Sequence, residues 1–147
     1  MFQPAESDDF CSVELGLQWQ WQGVPSPYWY FVGPGAADED CTNGALKLYS
    51  VEQAESWRNL SDSPNLLLQK FPADNFSVTA KLCFAPNPQL EERGENAGLV
   101  LFGLDYFALK LVDTQDGVVL QAVEWTERSG RRYLTKPIVS LPVKANG

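Results

Sequence analysis

Aromatic and amide side chains alternate near the start of the chain, in a pattern that suits contact with a sugar. Gln18–Gln22 reads QWQWQ, and Tyr28–Tyr30 adds YWY. Sugar rings present apolar C–H faces that stack on aromatic planes, and side-chain amides can hydrogen-bond to their hydroxyl groups. Gln20, Trp21 and Trp29 are therefore candidate contacts for a neutral carbohydrate.

The same tryptophans can also be read as core residues. Trp19 and Trp21 share one face of a period-two pattern with Leu15 and Leu17, and aromatic side chains on such a face are commonly buried. Trp29 lies among prolines and glycines and is the better candidate for the surface. Both interpretations stay open on the sequence alone.

Support for catalysis is weak. The chain has no histidine, which excludes Ser-His-Asp and Cys-His catalysis. Glycoside hydrolysis needs only two carboxylates, and Glu14, Asp105 and Glu124 lie in or beside predicted strands. Glu14 and Glu124 alternate with apolar residues, as solvated charges on an outer face do, and Asp105 follows Gly103 in a turn. We expect no catalytic residue.

The charge distribution restricts the partners and ions that the chain could bind. The net charge is -8, with 11 acidic and 3 basic side chains in residues 1–74 and 8 of each in residues 75–147. This negative charge argues against nucleic acid or an anionic membrane surface as a binding partner. Asp8-Asp9 and Asp38–Asp40 could offer oxygen ligands to Ca²⁺, but adjacent loop acids usually face water. We expect no metal and no cofactor.

Period-two alternation predicts strands over most of the chain. Val51–Leu60 is the only passable helix window, long enough for one or two turns. Asp116-Gly117 and Ser129-Gly130 are turn signals that precede further strands. The pattern predicts an all-β fold, an antiparallel β-sandwich forming a single domain over residues 1–147. The predicted strands are Val13–Gln22, Tyr28–Val32 (an edge strand or ordered loop), Gly44–Ser50, Asn65–Phe71, Asn75–Phe84, Ala97–Phe102 and Tyr106–Val112.

The three cysteines do not form a metal-binding pair or a balanced disulfide framework. Cys83 lies in the apolar segment KLCFA, which predicts a buried thiol. Cys11 and Cys41 lie in polar, loop-like contexts, and they could pair in an oxidising compartment if the geometry allows.

Three stretches together resemble a known module, the C-terminal concanavalin A-like β-sandwich of glycoside hydrolase family 43 enzymes. Gly16–Trp21 is similar to the strand that opens the family's domain. Asn65 begins a segment of the N-x-L-x-Q-R type, with Lys70 in place of arginine, and Ala97–Leu99 with Tyr106 resembles the family's central strand pair. The resemblance extends from about Asp9 to Val143 and implies a jelly-roll sandwich.

The resemblance also implies a function. In β-xylosidases and α-arabinofuranosidases of this family, the catalytic carboxylates sit in an N-terminal five-bladed propeller, which is absent here. The sandwich packs on that propeller and lends an aromatic side chain to a pocket for the terminal pentose. We therefore expect a non-catalytic accessory domain of a bacterial enzyme, located in the periplasm or outside the cell. Asp105 and Tyr106 join Gln20, Trp21 and Trp29 as candidate carbohydrate or domain-interface residues.

Two further expectations follow from the resemblance. The family's domain continues with several strands beyond the end of this sequence, so the sandwich would be incomplete at its C-terminus, and its open edges could pair with a second copy. An alternative function is an autonomous carbohydrate-binding module for xylan or arabinan, with a pentose-containing oligosaccharide as the ligand. We expect a buried Trp29 if the domain serves to pack on the propeller.

Overall fold

The computed structural model describes residues 7–34, 44–52, 60–126 and 137–143. The chain divides into two compact units, residues 1–78 and 79–147, and each unit contains its own antiparallel strands. Among the described residues there are strands and a short 3₁₀-helix, but no α-helix. The expectation that residues 1–147 form a single domain stays a prediction.

The first unit contains two small antiparallel sheets. Strand β1 (Trp19–Trp21) pairs with β4 (Leu67–Gln69), and β2 (Tyr30–Gly33) pairs with β3 (Ala45–Leu48). A 3₁₀-helix, Leu60–Asp62, precedes β4. The predicted strands Gly44–Ser50 and Asn65–Phe71 each contain one of these shorter strands, and Tyr28–Val32 overlaps β2, which ends one residue later at Gly33.

The second unit is a four-stranded antiparallel sheet in the order β5-β6-β7-β8. Its strands are β5 (Asn96–Leu101), β6 (Tyr106–Thr114), β7 (Gly117–Trp125) and β8 (Val139–Pro142). The turn signal at Asp116-Gly117 is confirmed, since β6 and β7 meet there. Gly117 has a φ of 112°, and the Thr114 hydroxyl donates a 2.6 Å hydrogen bond to its carbonyl oxygen.

The register gives this sheet two different faces. Ala108 pairs with Val123, and Tyr106 pairs with Trp125, which places these four side chains on one face. Ala108, Val123 and Trp125 are buried there. The opposite face carries six large apolar side chains that are 41–55% exposed, and we call it the exposed apolar face: Leu99, Leu101, Phe107, Leu109, Val139 and Leu141.

The prediction of one long strand over Val13–Gln22 is wrong. Only Trp19–Trp21 forms a strand, and Val13 and Leu17 are 78% and 92% exposed. The cause is a tight turn, in which the backbone N–H of Trp19 donates to the carbonyl oxygen of Gly16 at 3.0 Å. A turn at this point breaks the alternation that a continuous strand would need.

The prediction of a strand over Asn75–Phe84 is also wrong. Among the described residues no strand pairs with this segment, and its side chains are exposed up to Cys83. Phe84 alone is half-buried. Cys83 is therefore exposed rather than buried. A strand needs a neighbour that supplies its backbone hydrogen bonds, and alternation within one segment cannot say whether that neighbour is present.

Other predictions fall partly or wholly outside the described residues. These include most of the helix window Val51–Leu60, the turn at Ser129-Gly130 and the pairing of Cys11 with Cys41. In the described ranges, β5 and β8 are the outer strands of their sheet, so pairing with a second copy stays a prediction. No helix in those ranges is long and apolar enough to span a membrane.

Lys110 should make the stability of the chain depend on pH. It lies on the same face as Ala108, opposite Gln121, and its pKa is lowered because burial desolvates the ammonium group. The unfolded chain then holds more protons between the lowered pKa and the ordinary value of 10.5. The unfolding free energy should therefore rise with pH in this window, and this gain is lost as pH falls through the folded-state pKa.

We expect Lys110→Met to flatten this rise and to increase the unfolding free energy at pH 7 by less than about 1 kcal/mol, since water screens the half-exposed ammonium. Urea unfolding between pH 7 and 11 measures both effects. Lys81→Met, at an exposed position, is the matched control. Burial also raises the pKa of Tyr106, so this residue makes the unfolding free energy fall with pH above about pH 10. The effect is the same in both variants. A loss of stability in Lys110→Met at pH 7 would contradict the assignment.

Candidate functional site

The first unit contains an open concavity of about 510 Å³. The irregular segment 13–17 lines one part of it, and side chains of β1 and β2 line another. Trp19, Trp21 and Tyr30 are the aromatic residues among the lining, and Glu14 and Gln20 are the polar ones. Concave sites lined by aromatic groups with a few polar side chains are typical of small-molecule binding.

Trp21 and Tyr30 form the aromatic contact at the concavity. Their ring centroids lie 4.9 Å apart with an interplanar angle of 46°, which is a tilted arrangement rather than a parallel stack. Both side chains are half-buried, while Val32, further along β2, is buried. Because the rings are tilted, each ring covers less of the other's face than it would in a parallel stack.

The Asp8 carboxylate holds Trp19 in place. One carboxylate oxygen, Oδ2, accepts hydrogen bonds from Trp19 Nε1 at 2.7 Å and from Gln18 Nε2 at 3.0 Å. The other, Oδ1, accepts from the backbone N–H of Phe10 at 2.8 Å. The rings of Phe10 and Trp19 lie 5.6 Å apart. Trp19 and Gln18 are therefore engaged in internal contacts, and we assign them a structural role.

The local sequence explains why the chain folds into this arrangement. A Cβ atom at Gly16 would collide with the side-chain amide of Gln18, so a larger residue here would displace that amide from its hydrogen bond with Asp8. The turn brings Gln18 and Trp19 to the carboxylate of Asp8, ten and eleven residues earlier in the chain.

The sequence-predicted site residues divide into two groups. Gln20, which is exposed, and Trp21 line the concavity of the first unit. Trp29 is half-buried and does not line it, and its carbonyl oxygen accepts the backbone N–H of Tyr49 at 2.8 Å. Asp105 and Tyr106 belong to the second unit. The role of all five residues as contacts stays a prediction.

Tyr106 has a packing role in the sheet. Its ring stacks on that of Trp125, with centroids 5.4 Å apart and planes 5° from parallel. Burial raises the pKa of its hydroxyl, so Tyr106 stays protonated over the neutral range. Asp105, directly before it, is exposed in the turn between β5 and β6.

A second open concavity, of about 660 Å³, is acidic. Asp8, Asp9 and Glu14 are among its lining residues. Among the residues that the structure describes, no group of three or more suitable side chains is placed to hold a metal ion. The nearby Cys11 has a raised thiol pKa, because of desolvation first and then the hydrogen bond and negative charge of Asp9 and the charge of Asp8.

Sequence reasoning did not single out Tyr30 or Asp8. Tyr30 belongs to the YWY run that the sequence highlighted, but the pattern favoured its neighbour Trp29. The sequence indicates Asp8 only as a candidate ion ligand, because periodicity within one element cannot reveal a contact made across a turn.

Comparison with known families gives one match. The family model for the β-xylosidase C-terminal concanavalin A-like domain matches residues 7–146. No curated protein and no solved structure gives a significant match. The family match confirms the resemblance found in the sequence and, together with the antiparallel sheets, confirms the all-β, concanavalin A-like fold class.

Replacing Asp8 by alanine should destabilise the first unit. The variant leaves the Trp19 indole N–H and the Gln18 amide without their acceptor, and hydrogen bonds to charged groups contribute about 1.5–3 kcal/mol each. We expect a loss of about 2 kcal/mol in unfolding free energy, less than the sum for two bonds because the site is only part-buried and water can replace part of what is lost, measured by urea unfolding with tryptophan fluorescence. Asp9→Ala is the matched control and should cost less than about 0.5 kcal/mol, since exposed sites change stability little. Equal losses in the two variants would refute the role given to Asp8.

Proposed function

Because the chain belongs to the family of C-terminal concanavalin A-like domains of β-xylosidases, we propose that it is a non-catalytic accessory domain. It packs on the catalytic propeller of a family 43 glycoside hydrolase and shapes that domain's active site. The family match takes up residues 7–146 of the 147, which supports a catalytic domain separate from these residues. We propose a bacterial enzyme that acts in the periplasm or outside the cell on xylan or arabinan.

The exposed apolar face of the second unit is the observation that carries this proposal. Its six large side chains are 41–55% exposed and come from β5, β6 and β8, while β7 contributes the exposed carboxylate of Glu124 opposite Phe107. Contiguous apolar surface of this kind is rare on soluble monomers and marks interaction sites. It suits a permanent neighbouring domain better than a hydrated sugar.

The size of this face is adequate for contact between domains. Strands lie about 4.8 Å apart and rise about 3.4 Å per residue, so four strands over the five register positions that the face spans cover roughly 330 Å². Counted over both partners, this corresponds to about 650 Å², at the lower end of the range of about 600–1,500 Å² for interfaces between domains of one chain.

The carboxylates weighed for catalysis support a non-catalytic role. Glu14 and Glu124 are exposed, as expected for charges on an outer face, and Asp105 lies in a turn.

A second candidate function is carbohydrate binding by the domain itself. The concavity at Trp21 and Tyr30 favours it, since ring faces and an amide lie together there. The half-buried Trp29 does not decide between the two functions.

The purified chain should release no product from aryl β-xylosides or aryl α-arabinofuranosides. This follows from the proposed accessory role, because the family's catalytic carboxylates belong to the propeller. A chromogenic release assay at high protein concentration tests it, with a complete family 43 β-xylosidase as the positive control. Turnover that disappears in Glu14→Gln or Glu124→Gln would overturn the non-catalytic assignment.

Charge placed on the exposed apolar face should weaken docking on the propeller. We expect the double variant Leu99→Lys/Leu141→Lys to reduce co-purification with a family 43 β-xylosidase propeller at least about 10-fold, since burying an unpaired charge is costly. Leu104→Lys is the matched control, because Leu104 is 87% exposed in the turn between β5 and β6. Unchanged co-purification of the double variant, or an equal loss in Leu104→Lys, would contradict docking through this face.

A further inference from the structure

We propose that the concavity at Trp21 and Tyr30 is a binding site for a neutral saccharide, in which Gln20, Glu14 and the two aromatic side chains are the contact residues. The inference deepens the second candidate function, and it does not depend on docking to a catalytic propeller. In this site Tyr30, rather than Trp29, is the aromatic side chain that lies beside Trp21.

The hydrogen-bonding groups at the concavity divide into engaged and available ones. The indole N–H of Trp19 and the amide of Gln18 donate to Asp8. Among the described residues no hydrogen bond engages the indole N–H of Trp21, the hydroxyl of Tyr30, the amide of Gln20 or the carboxylate of Glu14. These available groups include donors and acceptors, as recognition of sugar hydroxyls requires.

The aromatic geometry suits the apolar faces of a sugar. Trp21 and Tyr30 are half-buried, which holds their rings in place, and their planes are tilted by 46°. Two tilted rings offer apolar surface to a ligand that carries both C–H and hydroxyl groups. The volume of about 510 Å³ falls within the range of about 300–1,000 Å³ of small-molecule sites.

The charge of the site selects against acidic ligands. Glu14 lines both this concavity and the acidic one that contains Asp8 and Asp9. No lysine or arginine is among the described residues that line the aromatic concavity. A uronate or phosphate group would be repelled here, whereas neutral hydroxyl groups can donate to the Glu14 carboxylate.

Titration of the full chain tests this site, with xylohexaose and arabinohexaose as neutral probes and a galacturonic acid hexamer as the acidic probe. Isothermal calorimetry gives the affinity, and tryptophan fluorescence supplies an independent signal. We expect saturable binding of at least one neutral probe with a Kd of about 1 mM or below, and at least 10-fold weaker binding of the acidic probe. No saturable binding of either neutral probe, or equal binding of the acidic one, would overturn the proposal.

Variants locate the site within the chain. Tyr30→Phe removes only the hydroxyl and should weaken binding about 2- to 10-fold, the equivalent of one hydrogen bond. Tyr28→Phe removes the same group from a residue that is 85% exposed and outside the concavity, and should leave the affinity unchanged. Gln20→Ala, at an exposed position, should also weaken binding without altering the fold. Equal effects of Tyr28→Phe and Tyr30→Phe would place the sugar elsewhere.

Trp21→Leu keeps an apolar side chain but removes the ring face and the N–H, and should weaken binding more than 10-fold. Far-ultraviolet circular dichroism and the urea midpoint show whether Trp21→Leu folds. If it does not fold, the binding affinities of Gln20→Ala and Tyr30→Phe test the proposal. The co-purification measured with Leu99→Lys/Leu141→Lys involves other residues, so failure of sugar binding and failure of docking are distinguishable.

Discussion

The antiparallel ladder between β6 and β7 is the constraint on which the second unit depends. Nine consecutive residue pairs join the two strands, and β5 and β8 pair with their outer sides. Because side chains alternate between faces, a shift of one residue in this register would exchange the two faces along its whole length. The same ladder stacks Tyr106 on Trp125 and places Leu109 on the opposite face. The burial of one face and the exposure of the other follow from a single register.

The first unit depends on a side-chain contact instead. Its strands have only three or four residues, and two-stranded sheets of this length are marginal in water. The Asp8 carboxylate adds a stabilising contact to these short ladders. It accepts a hydrogen bond from Trp19, the first residue of β1, and so links the segment before the turn to this strand. Trp19 is fixed by this bond, and Trp21, two residues further along the same strand, meets Tyr30 from the neighbouring sheet. The concavity thus depends on Asp8 without Asp8 contacting a ligand.

Local sequence information predicts the fold class and much of the second unit. Alternation identifies β5 and β6, and Asp116-Gly117 marks the turn into β7, because strands and tight turns depend on residues close together in the chain. It fails at Gly16, where a backbone hydrogen bond from Trp19 closes a turn inside an alternating pattern, and at Asn75–Phe84, where a strand would need a distant partner. The candidate site is predictable only in part. Trp21 and Gln20 belong to a visible motif, whereas the pairing of Trp21 with Tyr30 depends on two different sheets.

The two surfaces proposed for this chain differ in chemistry, and the proposed partners differ accordingly. The exposed apolar face has six large hydrocarbon or phenyl side chains, so a hydrated ligand would find few groups there to replace its hydrogen bonds with water. The concavity combines rings with available donors and acceptors, so a dry protein surface covering it would leave those groups unsatisfied. Each surface therefore disfavours the partner proposed for the other. The accessory role and saccharide binding are proposed for separate residues of the chain, so the two proposals are compatible with each other.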